Sequence, residues 1–258
     1  MRSIFKISCT AFCLFFVFSL KAQTSLDPDS VIYRKSWGIG LRLRSDGFGF
    51  NTEFTKARRF TRSILFQFQF NYFLHPKQVR QSSQYGGGGF FGSDGFKPFV
   101  FGKQNSLFTL YGGVGQKFLL AEKGKRHGVQ LFFKYAGGFS LALLKPYVLQ
   151  VLNADAITTA DYKDLQYDPN VDNGFLDRDR ILGASGFGKG WKLKVLPALH
   201  AEVAIDFDWG KNERFIKGLE IGVAADFYFT KVPVMVESNK LLYPSVYAGF
   251  MLGRRKER

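Results

Sequence analysis

The segment 129–143, VQLFFKYAGGFSLAL, decides the fold. Every second residue from Val129 (Leu131, Phe133, Tyr135, Gly137, Phe139, Leu141, Leu143) is apolar or glycine, and most of the intervening residues are small or polar. A repeat of two is the mark of a strand, because successive side chains leave a pleated backbone on opposite faces. The run is about twice the ~5–6 residues of an ordinary globular strand. A long strand with one greasy face and one cramped polar face is the pattern of a barrel that crosses a membrane.

Seven further segments obey the same rule. They are predicted at 37–43, 48–54, 63–74, 107–118, 192–207, 216–229 and 243–252. Ser45-Asp46-Gly47 reads as a tight hairpin between the first two. Gly112, Gly113 and Gly115 blur the faces of the 107–118 strand, and Pro197 predicts a bulge or local break in 192–207. The connections alternate in length. Those at 56–62, 122–127 and 208–215 are short, and those at 75–105, 144–190 and 230–242 are longer. Short turns on one side and long loops on the other are typical of outer-membrane barrels. The residues therefore predict an all-β fold: an eight-stranded antiparallel transmembrane β-barrel with two long extracellular loops.

Alternation alone does not say which face points outward. The face opposite the apolar one decides it. A water-exposed surface is dense in charge, yet this face carries Gln67, Gln69, Ala136, Gly138, Ser140, Ala142, Gly222 and Ala224. Such residues suit the interior of an eight-stranded barrel, which has just enough room for side chains. The few ions on that face, Arg42, Lys134 and Lys194 against Glu53, Glu202, Glu220 and Asp226, are predicted to pair inside the lumen. Asp206 shares the face. Buried charges are tolerable only when paired, so the expectation is a salt-bridged plug. Trp37, Tyr72, Trp191, Trp209, Tyr228 and Tyr243 fall near strand ends and are expected to form the aromatic girdles.

Residues 1–22 have the features of a cleaved secretory signal: basic Arg2 and Lys6, an apolar core over 7–20, and Ala22 at the cleavage point. The remainder, 23–258, is read as the barrel domain. Cys9 and Cys13 both lie in the leader, so the mature chain has no thiol or disulfide chemistry. The net charge of +15 loses three units with Arg2, Lys6 and Lys21. What remains is split among turn tips and the tail 253–258, which excludes a nucleic-acid groove.

Asp168, Asn170, Asp172 and Asp179 have the oxygen-at-alternate-positions spacing of a calcium loop. Gly174 stands one place late and the last position is Asp rather than Glu, so a solvated acidic loop is the main expectation, with calcium the only cofactor the pattern suggests. Gly183–Gly190 nearly spells a phosphate-binding loop, but Gly190 replaces the required Ser or Thr and a strand follows. Ser93 with His75 is the one conceivable catalytic pair. No catalytic residue is assigned, and no enzyme activity is expected.

The signal ending Lys21-Ala22-Gln23, the eight amphipathic strands, the stretch 218–233 and the close at Phe250 and Gly253-Arg254-Arg255 together resemble the small bacterial outer-membrane barrels, OmpA/OmpX-like in size and PorT-like in style. The resemblance implies an outer-membrane location, contact with outer-membrane lipid and with other envelope or secretion proteins, and a structural or interaction role supporting protein secretion. The alternatives are a small-solute pore and a rim-located lipid or peptide hydrolase.

Overall fold

The structure is a computed structural model; it describes residues 35–82, 96–122, 128–153, 155, 161–171, 174–210, 214–237 and 239–256. The signal segment 1–22 and Ser93 lie outside these residues. Eight strands carry the fold: β1 Lys35–Arg44, β2 Gly47–Arg59, β3 Arg62–Phe73, β4 Asn105–Ala121, β5 Gln130–Pro146, β6 Lys194–Asp208, β7 Phe215–Tyr228 and β8 Leu242–Lys256. Each pairs antiparallel with its chain neighbour, and β1 closes on β8 from Lys35↔Lys256 to Arg44↔Tyr247. The result is a closed up-and-down barrel with no free sheet edge, so every strand's backbone polar groups find partners within the wall.

The strands outrun the sequence-based limits at the end that holds both termini. β2 and β3 run through most of the expected turn at 56–62, and β8 takes up residues 253–256 of the expected tail. The reason is that backbone pairing is indifferent to charge once the charged side chains have left the apolar band. Pro197 causes no bulge. It pairs in register with Leu141 of β5, while the β6–β7 ladder begins only at Ala198↔Tyr228. Proline, lacking an N–H, thus sits just before the β6–β7 ladder begins, where its missing donor breaks no pairing on that side. Gly47 closes the β1–β2 hairpin at φ 145°, a value open to glycine.

Polarity is inverted relative to a water-soluble barrel. Outward rows such as Ile39-Leu41-Leu43, Phe66-Phe68-Phe70 and Leu219-Ile221-Val223 are exposed, while Arg42, Gln67, Lys134, Glu202 and Glu220 are buried inside. β3 has 12 residues. At ~3.3 Å per residue and a tilt of ~40° it rises roughly 30 Å, enough for an apolar band of ~25 Å.

The long connections meet at the end opposite the termini and fold into a cap. Strands Val148–Leu152, Tyr162–Gln166 and Ile181–Ala184 form a three-stranded sheet. Leu149, Val151, Phe175 and Ile181 pack under it with Phe99. A second cluster, including Val232, Val234, Met235, Tyr228, Tyr243 and Leu144, fills the barrel mouth. Two residues expected in the outer girdle, Tyr228 and Tyr243, therefore point inward. Their rings meet edge to face at 5.6 Å and help close the mouth.

Candidate functional site

The lumen is built from alternate residues of all eight strands, and the register sets which of them meet. Arg42 on β1 stands directly opposite Gly49 of β2 and Gly249 of β8. A Cβ on Gly249 would stand 2.9 Å from Arg42 Cγ, so the missing side chain there gives the guanidinium its room. Arg42 Nη1 donates to Glu202 Oε2 at 2.8 Å and Nη2 to Glu220 Oε1 at 2.7 Å, with Glu53 Oε1 at 3.5 Å. Its Cζ lies 4.5 Å from the centre of the Tyr247 ring, whose hydroxyl donates to Glu220 at 2.7 Å.

Lys134 on β5 supplies the second cation. It is wholly buried and bonds Glu53 and, at 2.7 Å, Glu220; Asp206 is 3.7 Å away. Gln69 and Gln67 donate to Glu202 and Glu53 at 2.8 and 3.2 Å. One layer toward the cap, His200 Nδ1 meets Asp226 at 2.6 Å and Nε2 faces Glu202 at 3.4 Å. The Tyr111 ring lies tilted against His200 with centroids 4.2 Å apart. Tyr111 fits because Gly113 lacks a side chain: a Cβ there would come within 2.0 Å of the Tyr111 hydroxyl.

Six of the seven ions read from the sequence, Arg42, Lys134, Glu53, Glu202, Glu220 and Asp226, converge in this network. Lys194 does not. It is exposed at the start of β6, opposite Leu144. The inward parity of β6 extends formally to 194, but the strand has by then passed the rim. The lumen also holds ions that the sequence reading left out. Arg44 bridges Asp46 and Asp226 at 2.8 and 2.9 Å. Lys117 bonds Asp206 and Arg255 bonds Asp208, each at 2.5 Å. The signal for Arg44 was its even-numbered place beside Gly40 and Arg42. Lys117 was hidden by the glycines that obscured the faces of β4.

The calcium-pattern residues are less concentrated. Asp168 and Asp179 lie on the exposed acidic loop, where Asp168 Oδ1 accepts from the Asn170 amide at 2.9 Å. Asp172 falls outside the described residues. No group of three metal-ligating side chains occurs among the described residues. His75 Nδ1 accepts from the Lys77 amide at 3.2 Å in a turn. Burial, together with Lys77 and Lys240, lowers its pKa. Lys189 of the glycine loop pairs with Asp164.

Lys103 is one of the buried amines at the cap end. Its Nζ lies 5.2 Å from the Tyr147 ring centre and 5.9 Å from that of Tyr72. Burial, reinforced by Arg80, lowers its pKa from 10.5 to about 8. The unfolded cap then binds more protons than the folded one between those values, so cap stability rises with pH across that window. A gain of up to ~2–3 kcal/mol is expected. Subtilisin cleavage of the cap in the embedded protein should slow from pH 8 to 10, and Lys103→Met should flatten the profile.

No family model and no curated protein matches the chain. Solved structures do. The attachment invasion locus protein Ail of Yersinia pestis is 11% identical, with 85% of this chain and 93% of that chain covered and a TM-score of 0.32. Neisserial surface protein A is 6% identical, covering 87% and 96%, with a TM-score of 0.34. The N-terminal β-barrel domain of Pseudomonas aeruginosa OprF is 7% identical, covering 84% and 96%, with a TM-score of 0.31. The likeness is one of fold alone.

Proposed function

We propose that the chain is an integral barrel of a bacterial outer membrane, non-conducting and non-enzymatic, whose work is structural or interactive and is done by its folded outer cap. The observation that carries this is the inversion of polarity. Phe139 is 74% exposed on the outer wall while Lys134 is fully buried inside. In water that arrangement would waste apolar burial and desolvate ions. In a bilayer it satisfies both. No helix among the described residues is long and apolar enough to cross a membrane.

The closed lumen supports the non-conducting reading. The ions of Arg42, Lys134 and their carboxylates fill the middle, and Val232 and Val234, both fully buried, fill the mouth above. Reconstitution into planar bilayers should give no current steps; a resolved single-channel conductance would overturn the plug. Membrane fractionation with boiled and unboiled gel migration tests the location. Different mobility of the two samples, from the outer-membrane fraction, is the expected result. The PorT-like resemblance narrows the interaction role to support of protein secretion. Cells lacking the chain should then lose secreted protein, and a chain with the cap strands Val148–Leu152 and Tyr162–Gln166 replaced should not restore it.

A further inference from the structure

The strand ends on the terminus side carry a belt of cations that the lumen network does not use. Lys35 on β1 stands directly opposite Lys256 of β8 on one side and Lys56 of β2 on the other. Arg254 follows on β8, opposite Trp37 and Phe215, and Lys217 lies on β7 opposite Leu252. All five are exposed. Strand parity sends them to the outer wall, since each continues an apolar row: Ile39-Trp37-Lys35, Phe54-Lys56, Leu219-Lys217 and Leu252-Arg254-Lys256. The intervening Arg255 turns inward to Asp208.

Like charges directly opposite on neighbouring strands destabilise a sheet, and here three lysines stand abreast. Every carboxylate on these four strands, Glu53, Glu220 and Asp226, is buried in the lumen. Among the described residues no carboxylate pairs with Lys35, Lys56, Lys217, Arg254 or Lys256. The described residues therefore offer this belt no anion. Its position says which kind would suit it. The cations share the outer wall with the lipid-facing residues: Lys35 and Lys56 stand one pleat past Trp37 and Phe54, Arg254 is level with Trp37 and Phe215, and Lys217 is level with Leu252. That is the border of the apolar band, the depth of lipid headgroups. A soluble partner approaching from below would meet the turn tips instead.

We propose that β7, β8, β1 and β2 form a collar that binds anionic phospholipid headgroups in the leaflet on the terminus side. The proposal rests on the membrane-barrel reading and adds a lipid preference to it. A cation near an anionic membrane surface is worth enough to shift a binding ratio about fivefold.

The three tryptophans allow a direct test. Trp191→Phe leaves Trp37 and Trp209; Trp37 stands on the collar itself, opposite Arg254. This protein is reconstituted into vesicles of phosphatidylcholine containing either brominated phosphatidylcholine or brominated phosphatidylglycerol, and fluorescence quenching is compared. The expected result is a preference for the phosphatidylglycerol of about fivefold at low salt, collapsing toward unity in ~0.5 M NaCl as screening shortens to a few ångströms. Lys35→Gln/Lys56→Gln/Lys256→Gln, all on exposed positions, should lose the preference while keeping the quenching. Equal quenching by both lipids at low salt, or a preference that survives salt or the triple substitution, would overturn the collar and leave the barrel standing. No quenching by either lipid would sink both. Equal quenching with salt-sensitive binding of a polyglutamate peptide would assign the belt to an acidic protein.

Discussion

Lys134→Met is expected to destabilise the barrel by about 3–5 kcal/mol, because it strips the partner from carboxylates that cannot reach water. Lys134 is fully buried and holds Glu53 and Glu220 at once. Arg42, 3.5 Å from Glu53 and 2.7 Å from Glu220, cannot neutralise both and also serve Glu202. The size of the effect does not mean that the network is a large net source of stability. Two desolvated ions roughly cancel their own attraction, and the cost appears when one is removed. Lys194→Met supplies the contrast: that exposed side chain should matter by no more than ~0.5 kcal/mol. Urea unfolding in detergent micelles, followed by the loss of the fast-migrating gel band, measures both. Equal midpoints for Lys134→Met and the unsubstituted protein would overturn the lumen network as described.

Phe139→Arg is expected to cost about 2–4 kcal/mol in a bilayer, the penalty for a cation at mid-membrane on the lipid face of a barrel. Phe139 is suited to the test because it is 74% exposed and sits near the middle of β5, level with Leu199 of β6 and Gly112 of β4. On a water-soluble barrel the same substitution would be nearly neutral, since exposed positions tolerate change within ~0.5 kcal/mol. Unfolding from phosphatidylcholine vesicles distinguishes the two. An unchanged midpoint would refute the lipid-facing wall. The two substitutions act on opposite faces of one strand, five residues apart, so together they report whether the polarity is inside out.

Much of this is legible in the sequence. The alternation at 129–143 named both faces of β5, because a strand has only two and a lipid wall tolerates few exceptions. Gly138 and Ser140 opposite Phe139 and Leu141 marked the narrow side. Less was legible where glycine removed the side chain that would have declared a face. Lys117 on β4 was missed for that reason, though it reaches Asp206. Aromatic identity was also a poor guide near the ends. Tyr228 and Tyr243 have the composition of a girdle and the burial of a mouth seal, since parity outranks residue type once a strand's register is set.

The sequence by itself determined the all-β class, the number and approximate place of the strands, and the sorting of apolar from polar faces. A two-residue period is a local property, fixed by the pleat and readable residue by residue. The tertiary structure alone decided which ions meet, that Lys194 stays outside, that the long connections pack into a cap around Leu149, Val151 and Phe175, and that Lys35, Lys56 and Lys256 stand abreast. Those facts depend on register between strands as distant as Lys35 and Lys256 in the chain, and closure of the barrel, not local periodicity, sets that register.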